Sequence, residues 1–125
     1  MRANVRDTAQ RIAASSPTDS ALRAFLDLSD SFALATGDDR VALSADEPQP
    51  TGSAPWDAAL AALVDFWLGE SGLPKPGWVE SPSRFLTEPA TPHLGQYDLS
   101  PDLADVPPEF LRRNILIKRR TLRSV

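Results

Sequence analysis

The chain has 125 residues and a formal net charge of −4, which is enough length for one domain with a modest core. It contains no cysteine, which excludes disulfides and thiolate metal sites and fits a reducing cytoplasm. No run approaches the length of a membrane span, and no apolar stretch follows the first arginines, so we predict neither a membrane segment nor a signal peptide. Eleven of the twelve prolines lie between Pro48 and Pro108 and predict long irregular connections there.

The charges separate into an acidic body and a basic end. Residues 24–110 contain 15 acidic and three basic residues, a local charge of −12, whereas residues 111–125 contain six basic residues and no acid. Such segregation is typical of a protein that contacts another macromolecule. We predict three parts: a short helix or flexible arm over 1–15, an acidic helical domain over 16–110, and a basic C-terminal segment over 111–125.

The beginning of the chain predicts three helices. Residues 1–15 have a thin apolar stripe, so two interpretations stay open for them: a short helix and a flexible arm. A stronger helical pattern runs over 17–36. It begins at the capping sequence Ser16-Pro17 and ends at Gly37, a residue that favours left-handed geometry. A brief helix then ends near Ala45.

The clearest helix opens at Pro55. Its large apolar residues recur with a period of 3.6 and form one stripe, made of Trp56, Leu60, Leu63, Val64, Trp67 and Leu68. We predict that Asp65 and Glu70 point away from this stripe. Gly69 or Gly72 ends the helix.

The tryptophans have two interpretations. Trp56 and Trp67 lie on the helical stripe, so burial in the core is favoured over a role as exposed contact points for a partner. Trp78 follows a stiff proline-rich connector, and we predict that it folds back onto the helix at Trp67. Phe66 lies off the stripe and is the better candidate for an exposed aromatic.

The second half of the chain predicts short helical turns and irregular segments. One or two turns are expected over 81–87, and a short helix over 107–113, which Asn114 ends in the left-handed conformation. Ile115-Leu116-Ile117 predicts a short strand or an extended strap over the core, after which residues 118–125 turn helical. The predicted fold class is all-α: a small bundle of four to five helices with long proline-rich connections and an extended basic C-terminal segment.

Patterns of catalysis or metal binding are weak. The single histidine, His93, lies in a proline-rich loop, and the sequence has no cluster of histidines or cysteines. It also has neither a glycine-rich phosphate loop nor a nucleophile elbow. We therefore predict a protein that is not an enzyme, with no catalytic residue, no metal and no cofactor.

The basic segment has three interpretations: a solvated tail, a contact with nucleic acid, and a contact with protein. Its cations can neutralise phosphates, but the acidic body would repel nucleic acid and no helix-turn-helix pattern is visible. A protein partner with an acidic or phosphate-binding surface is favoured, because apolar anchors and bidentate arginines suit it. The predicted contact residues are Arg112, Arg113, Ile115, Ile117, Lys118, Arg119, Arg120 and Arg123.

From about Glu47 onward the chain resembles a known family. The matching residues are, in order, Pro50-Thr51-Gly52, Trp56-Asp57-Ala58-Ala59-Leu60-Ala61-Ala62-Leu63, Gly72-Leu73-Pro74-Lys75-Pro76-Gly77-Trp78, Arg84-Phe85-Leu86, Pro108-Glu109-Phe110-Leu111-Arg112-Arg113-Asn114-Ile115 and Leu122. Their order and spacing resemble small actinobacterial proteins of toxin–antitoxin pairs, whose partners are commonly nucleotidyltransferase-like toxins. Longer members of that family carry an Xre-type helix-turn-helix before this region, for which this sequence has no counterpart.

The resemblance implies an antitoxin-like protein that binds and neutralises a partner toxin enzyme. The alternative is a transcriptional regulator or accessory domain that uses the basic segment on DNA. Two positions depart from the family pattern. Asn114 stands where relatives tend to have glycine, and Glu88-Pro89-Ala90-Thr91-Pro92 stands where they tend to have an aromatic segment.

Overall fold

The computed structural model describes residues 3–14, 18–92 and 103–122, and within them it shows helices and no strand. The α-helices are α1 (Val5–Ala14), α2 (Thr18–Leu34), α3 (Gly37–Ala42), α4 (Ala54–Glu70) and α5 (Pro108–Leu111). Short 3₁₀ turns cover Gly77–Glu80, Pro82–Arg84, Leu103–Asp105 and Arg119–Leu122. The predicted all-α class with four to five helices is confirmed.

α4 forms the centre of the core. Ser53 caps it by accepting a hydrogen bond from the Trp56 amide at 3.3 Å, and Pro55 lies in its first turn. Every residue from 58 to 68 is buried, and the helix contacts α1, α2, α5 and the 3₁₀ turns that begin at Gly77 and Pro82. The residues of the predicted stripe are all buried, but burial extends beyond the stripe, because small alanines on the other faces let neighbouring segments pack closely there.

Two residues off the predicted stripe show this burial most clearly. Asp65 is 4 % exposed and Phe66 is 5 % exposed. The prediction that Phe66 is an exposed aromatic is wrong: its ring packs edge-on against Trp67 at 5.1 Å and against Phe110 of α5 at 6.4 Å. The later part of the chain therefore covers the side of α4 that the helical period leaves open.

α1 and α2 pack on each other and on α4. The apolar stripe of the first fifteen residues is buried as a helix, and its members are Val5, Ala9 and Ile12. The Val5 amide donates a hydrogen bond to the carbonyl of Leu43 at 2.9 Å, which ties α1 to the residue after α3. Gly37, the first residue of α3, has φ +52°, the left-handed geometry that the sequence predicts, whereas α2 ends earlier, at Leu34. The predicted capping sequence Ser16-Pro17 lies outside the described residues.

All three tryptophans are buried, which confirms the core interpretation. Trp67 donates its indole N–H to the Ser29 hydroxyl at 3.1 Å, and Trp78 donates to the Ser44 carbonyl at 3.0 Å. The Arg84 guanidinium lies 4.9 Å from the Trp78 ring. The contact predicted between Trp78 and Trp67 stays a prediction.

Buried arginines hold the irregular connections in place. Arg40 donates to the carbonyl of Ala35, just after α2, at 3.1 Å and to the carbonyl of Trp67 near the end of α4 at 3.2 Å. Arg84 donates to the carbonyls of Pro48 at 3.1 Å and Asp57 at 3.2 Å. A guanidinium offers several donors to carbonyls that helix ends and proline-rich loops leave unpaired. These two of the three bases in the acidic body are therefore structural.

The left-handed backbone conformation of Asn114, which follows α5, can be tested by substitution. It has φ +63°, and its side-chain amide donates to the Leu86 carbonyl at 2.6 Å. Asn114→Ala should lower the free energy of unfolding by about 2 kcal/mol, because it loses the hydrogen bond and forces alanine into left-handed geometry. Asn114→Gly, the matched control, should lose only about 1 kcal/mol. Urea denaturation measures both, and equal losses would contradict the left-handed assignment.

Candidate partner-binding surface

The basic segment starts inside the fold. After α5, residues 115–117 run extended beside Ala90, with which Ile115 forms an isolated parallel bridge. The Ala90 amide donates to the Asn114 carbonyl at 2.9 Å, and the Leu116 amide donates to the Ala90 carbonyl at 2.9 Å. This extended course over the core is the strap that the sequence predicts.

Alternate side chains of the strap face inward. Ile115 and Ile117 are fully buried, whereas Leu116 and Lys118 are half-buried. Leu122 then anchors the far end: its side chain is buried and its carbonyl accepts a hydrogen bond from the Ser29 hydroxyl of α2 at 2.6 Å. The segment is thus fixed to the core at both ends of its described length.

Arg113 is fully buried and joins three parts of the chain. It donates to the Asp65 carboxylate of α4 at 2.8 Å and to the Glu109 carbonyl of α5 at 2.9 Å. It also donates to the Val79 carbonyl at 2.8 Å and to the Glu80 carboxylate at 3.0 Å. Because its two terminal nitrogens donate to groups from three parts of the chain, Arg113 acts as a structural clamp between α4, α5 and the Gly77–Glu80 turn.

Asp65 is the buried acid that balances this cation. Burial raises the pKa of its carboxyl, but hydrogen bonds from Lys75 and Arg113 and the charges of both outweigh burial and hold the pKa below the usual 3.8. Lys75 bonds one carboxylate oxygen and Arg113 the other. Asp65 therefore remains ionised in the core at neutral pH.

Arg112 lies at the edge of the same cluster, with about half of its side chain exposed. It bonds the Glu80 carboxylate, and these hydrogen bonds raise the pKa of Arg112. Its guanidinium carbon lies 5.3 Å from the Phe85 ring, and that of Arg113 lies 4.6 Å from the same ring. Arg112 is thus partly engaged by its own chain while reaching the surface.

Lys118 and Arg119 lie beyond the strap. Lys118 is half-buried and its carbonyl accepts a hydrogen bond from the Thr121 amide at 3.0 Å. Arg119 is exposed, and its guanidinium carbon lies 5.6 Å from the ring of Phe66. The apolar stem of an arginine can lie on such a ring while its charge stays in water.

The structure divides the eight predicted contact residues into three groups. Arg113, Ile115 and Ile117 are in the core of the chain itself. Arg112, Lys118 and Arg119 reach the surface. The side chain of Arg120 and all of Arg123 lie outside the described residues. The surface available to a partner is thus smaller than the sequence predicts. The predicted apolar anchors, Ile115 and Ile117, pack in the core of the chain itself.

Sequence reasoning missed the pairing of Asp65 with Arg113. One signal was present: Asp65 is the single charged residue in the otherwise apolar run from Leu60 to Leu68. A buried acid requires a buried cation. Nothing in the sequence distinguishes Arg113 from Arg112 as that cation, because adjacent arginines differ only in which side of the turn they occupy.

Other candidate chemistry has little structural support. His93 lies outside the described residues, and in the described ranges no three His, Cys, Asp or Glu side chains form a group that could hold a metal ion. None of the described helices combines the length and apolar character needed to cross a bilayer. Comparison with protein-family models, curated proteins and solved structures gives no match.

The clamp predicts a specific pH response. Because the folded pKa of Asp65 is depressed, its stabilisation is present above the unfolded pKa of about 3.9 and is lost as the pH falls through the folded pKa. Asp65→Asn should cost about 3 kcal/mol of unfolding free energy at pH 7, since it removes the buried counter-charge of Arg113 and leaves only the exposed Glu80 carboxylate as its ion-pair partner. The difference in unfolding free energy between Asp65→Asn and the wild type should shrink as the pH falls below about 3.9 and through the folded pKa of Asp65.

Urea denaturation between pH 7 and pH 3 measures that difference. Glu88→Gln, at an exposed residue, is the charge-matched control and should leave stability unchanged within about 0.5 kcal/mol. The double variant Asp65→Leu/Arg113→Met should be more stable than Asp65→Leu alone or Arg113→Met alone, because each single variant leaves one buried charge without its buried partner. A double variant at the sum of the single losses would rule out the clamp.

Proposed function

We propose that the chain is an antitoxin-like protein of the cytoplasm, without catalytic activity, that binds and neutralises a partner enzyme of the nucleotidyltransferase toxin type. The nucleotidyltransferase-like class of partner is what the family resemblance from Glu47 onward implies. The observation that carries the proposal is the anchored strap, which holds Lys118 and Arg119 on the surface of a folded body. A cationic surface that is already ordered loses less conformational entropy on binding than a free tail does.

The chemistry of such a partner fits a cationic surface. A nucleotidyltransferase binds a triphosphate and uses carboxylates to hold metal ions, so its site attracts positive charge. Lys118 offers a flexible point charge, and Arg119 offers planar donors that match carboxylate and phosphate oxygens. We propose that these two residues, with Arg112 at the edge, occupy that site or its rim and thereby block substrate entry.

The burial within the strap determines how this proposal must be tested. Deletion of residues 112–125 would remove Ile115, Ile117 and Leu122 from the core, and the chain would lose activity by unfolding. Charge reversal at the surface avoids that problem. We therefore choose Lys118→Glu/Arg119→Glu, with Arg23→Glu on α2 as the control, because Arg23 is also an exposed cation.

The tagged chain, purified from its native host, should bring down a nucleotidyltransferase-like enzyme in stoichiometric amount. Lys118→Glu/Arg119→Glu should weaken binding of that enzyme about a hundredfold, since each charge-assisted contact contributes about 1.5 kcal/mol. Arg23→Glu should bind as the wild type does. Melting temperatures should agree within about 5 °C, because these substitutions lie on the surface.

Two results would contradict the proposal. Nucleic acid without a protein partner, with an affinity that falls steeply as salt rises, would favour the regulator alternative. If the double variant and the wild type bound the enzyme equally well, Lys118 and Arg119 would not be part of the interface. Growth rescue on co-expression with the enzyme provides the functional readout, and the double variant should fail to rescue.

A further inference from the structure

A cleft of about 370 Å³ lies between α1 and α2, away from the residues discussed above. On α1 it is lined by Asp7, Thr8 and Arg11, and on α2 by Asp27, Asp30 and Ser31. Residues three and four apart on a helix share a face, so each helix presents one polar strip to the cleft. The polar strip of α1 lies next to the apolar residues by which α1 joins the core.

The acids of the cleft are unequally compensated. Arg11 forms an ion pair with Asp27 at 3.1 Å, and Arg6 reaches Asp7 from outside the cleft at 3.4 Å. Asp30 is half-buried and has no ion pair or hydrogen bond from its side chain among the described residues. Within the described part of the chain, one carboxylate in the cleft is thus without a cation.

The hydroxyl of Thr8 is a second and independent sign of a missing partner. Thr8 is fully buried and lines the cleft, and its Oγ1 has no hydrogen-bond partner in the described ranges 3–14, 18–92 and 103–122. A buried hydroxyl without a partner costs free energy, so buried polar groups are rarely left in that state. The neighbouring Ser31 hydroxyl, in contrast, accepts from the Ala3 amide at 3.0 Å and donates to the Asp27 carbonyl at 3.1 Å.

We propose that this cleft binds an organic cation through an ammonium or guanidinium group, with the Asp30 carboxylate and the Thr8 hydroxyl as hydrogen-bond acceptors. Such groups carry several N–H donors and positive charge, which are the two features that these residues lack. The carboxylates of the described residues form no metal-binding group. The volume accommodates an extended cation, either a free polyamine or a lysine or arginine side chain of a peptide. The site does not depend on the proposed antitoxin function.

Isothermal titration calorimetry on the full chain tests the site with two probes. Spermidine represents a free polyamine, and a peptide of the sequence Lys-Arg-Arg-Thr-Leu-Arg-Ser-Val represents a basic polypeptide. Asp30→Asn should weaken the binding of whichever probe occupies the cleft about tenfold, the effect of one lost charge-assisted contact. Glu88→Gln removes an equal charge at an exposed residue elsewhere and should leave the affinity unchanged.

Thr8→Val separates a binding role from a purely structural one. It keeps the shape of the side chain and removes the unpaired hydroxyl, so the melting temperature should rise while affinity for the probe falls severalfold. Tighter binding of spermidine would identify a free polyamine as the ligand, and tighter binding of the peptide a polypeptide. No binding of either probe, or equal weakening by Asp30→Asn and Glu88→Gln, would overturn the proposal.

Discussion

A carboxylate from the middle of α4 and a guanidinium from the turn after α5 meet in the core, and much of the molecule is arranged around them. Asp65 and Arg113 lie 2.8 Å apart with almost no exposure to solvent. The attraction within such a pair offsets its desolvation only when further hydrogen bonds support both groups, and Lys75 and the Val79 carbonyl supply two of them. The contact therefore fixes the central helix, the proline-rich connection and the start of the basic segment relative to one another.

This constraint changes what the basic end of the chain is. A run of cations after an acidic body is compatible with a solvated tail, but the first part of this run is built into the fold by Arg113, Ile115 and Ile117. The hydrogen bond from Ser29 to the Leu122 carbonyl secures its far end. The cations that remain at the surface, Lys118 and Arg119 among them, are held on an ordered support, which is the physical basis of the proposed recognition of a partner enzyme.

The sequence predicted the parts of the fold that local signals encode. Pro55 lies in the first turn of α4, and Gly37 and Asn114 adopt the left-handed conformation, as local signals predict, although α2 itself ends earlier, at Leu34. Burial around α4 was not predictable from period alone, since alanine is compatible with a surface or with a close contact. The roles of Arg40, Arg84 and Arg113 were missed because their partners are mostly backbone carbonyls distant in sequence. Of the predicted contact residues, Arg112, Lys118 and Arg119 reach the surface, whereas Arg113, Ile115 and Ile117 belong to the core.

Hydrogen exchange at the Leu116 amide tests most directly whether the basic segment belongs to the folded body. This amide donates to the Ala90 carbonyl at 2.9 Å, between the two buried isoleucines. If the strap is part of the core, its opening free energy equals the global free energy of unfolding and falls with it in Asp65→Asn. Exchange through a local opening several kcal/mol below the global value, with the α4 amides still protected, would show a separable tail and contradict the account.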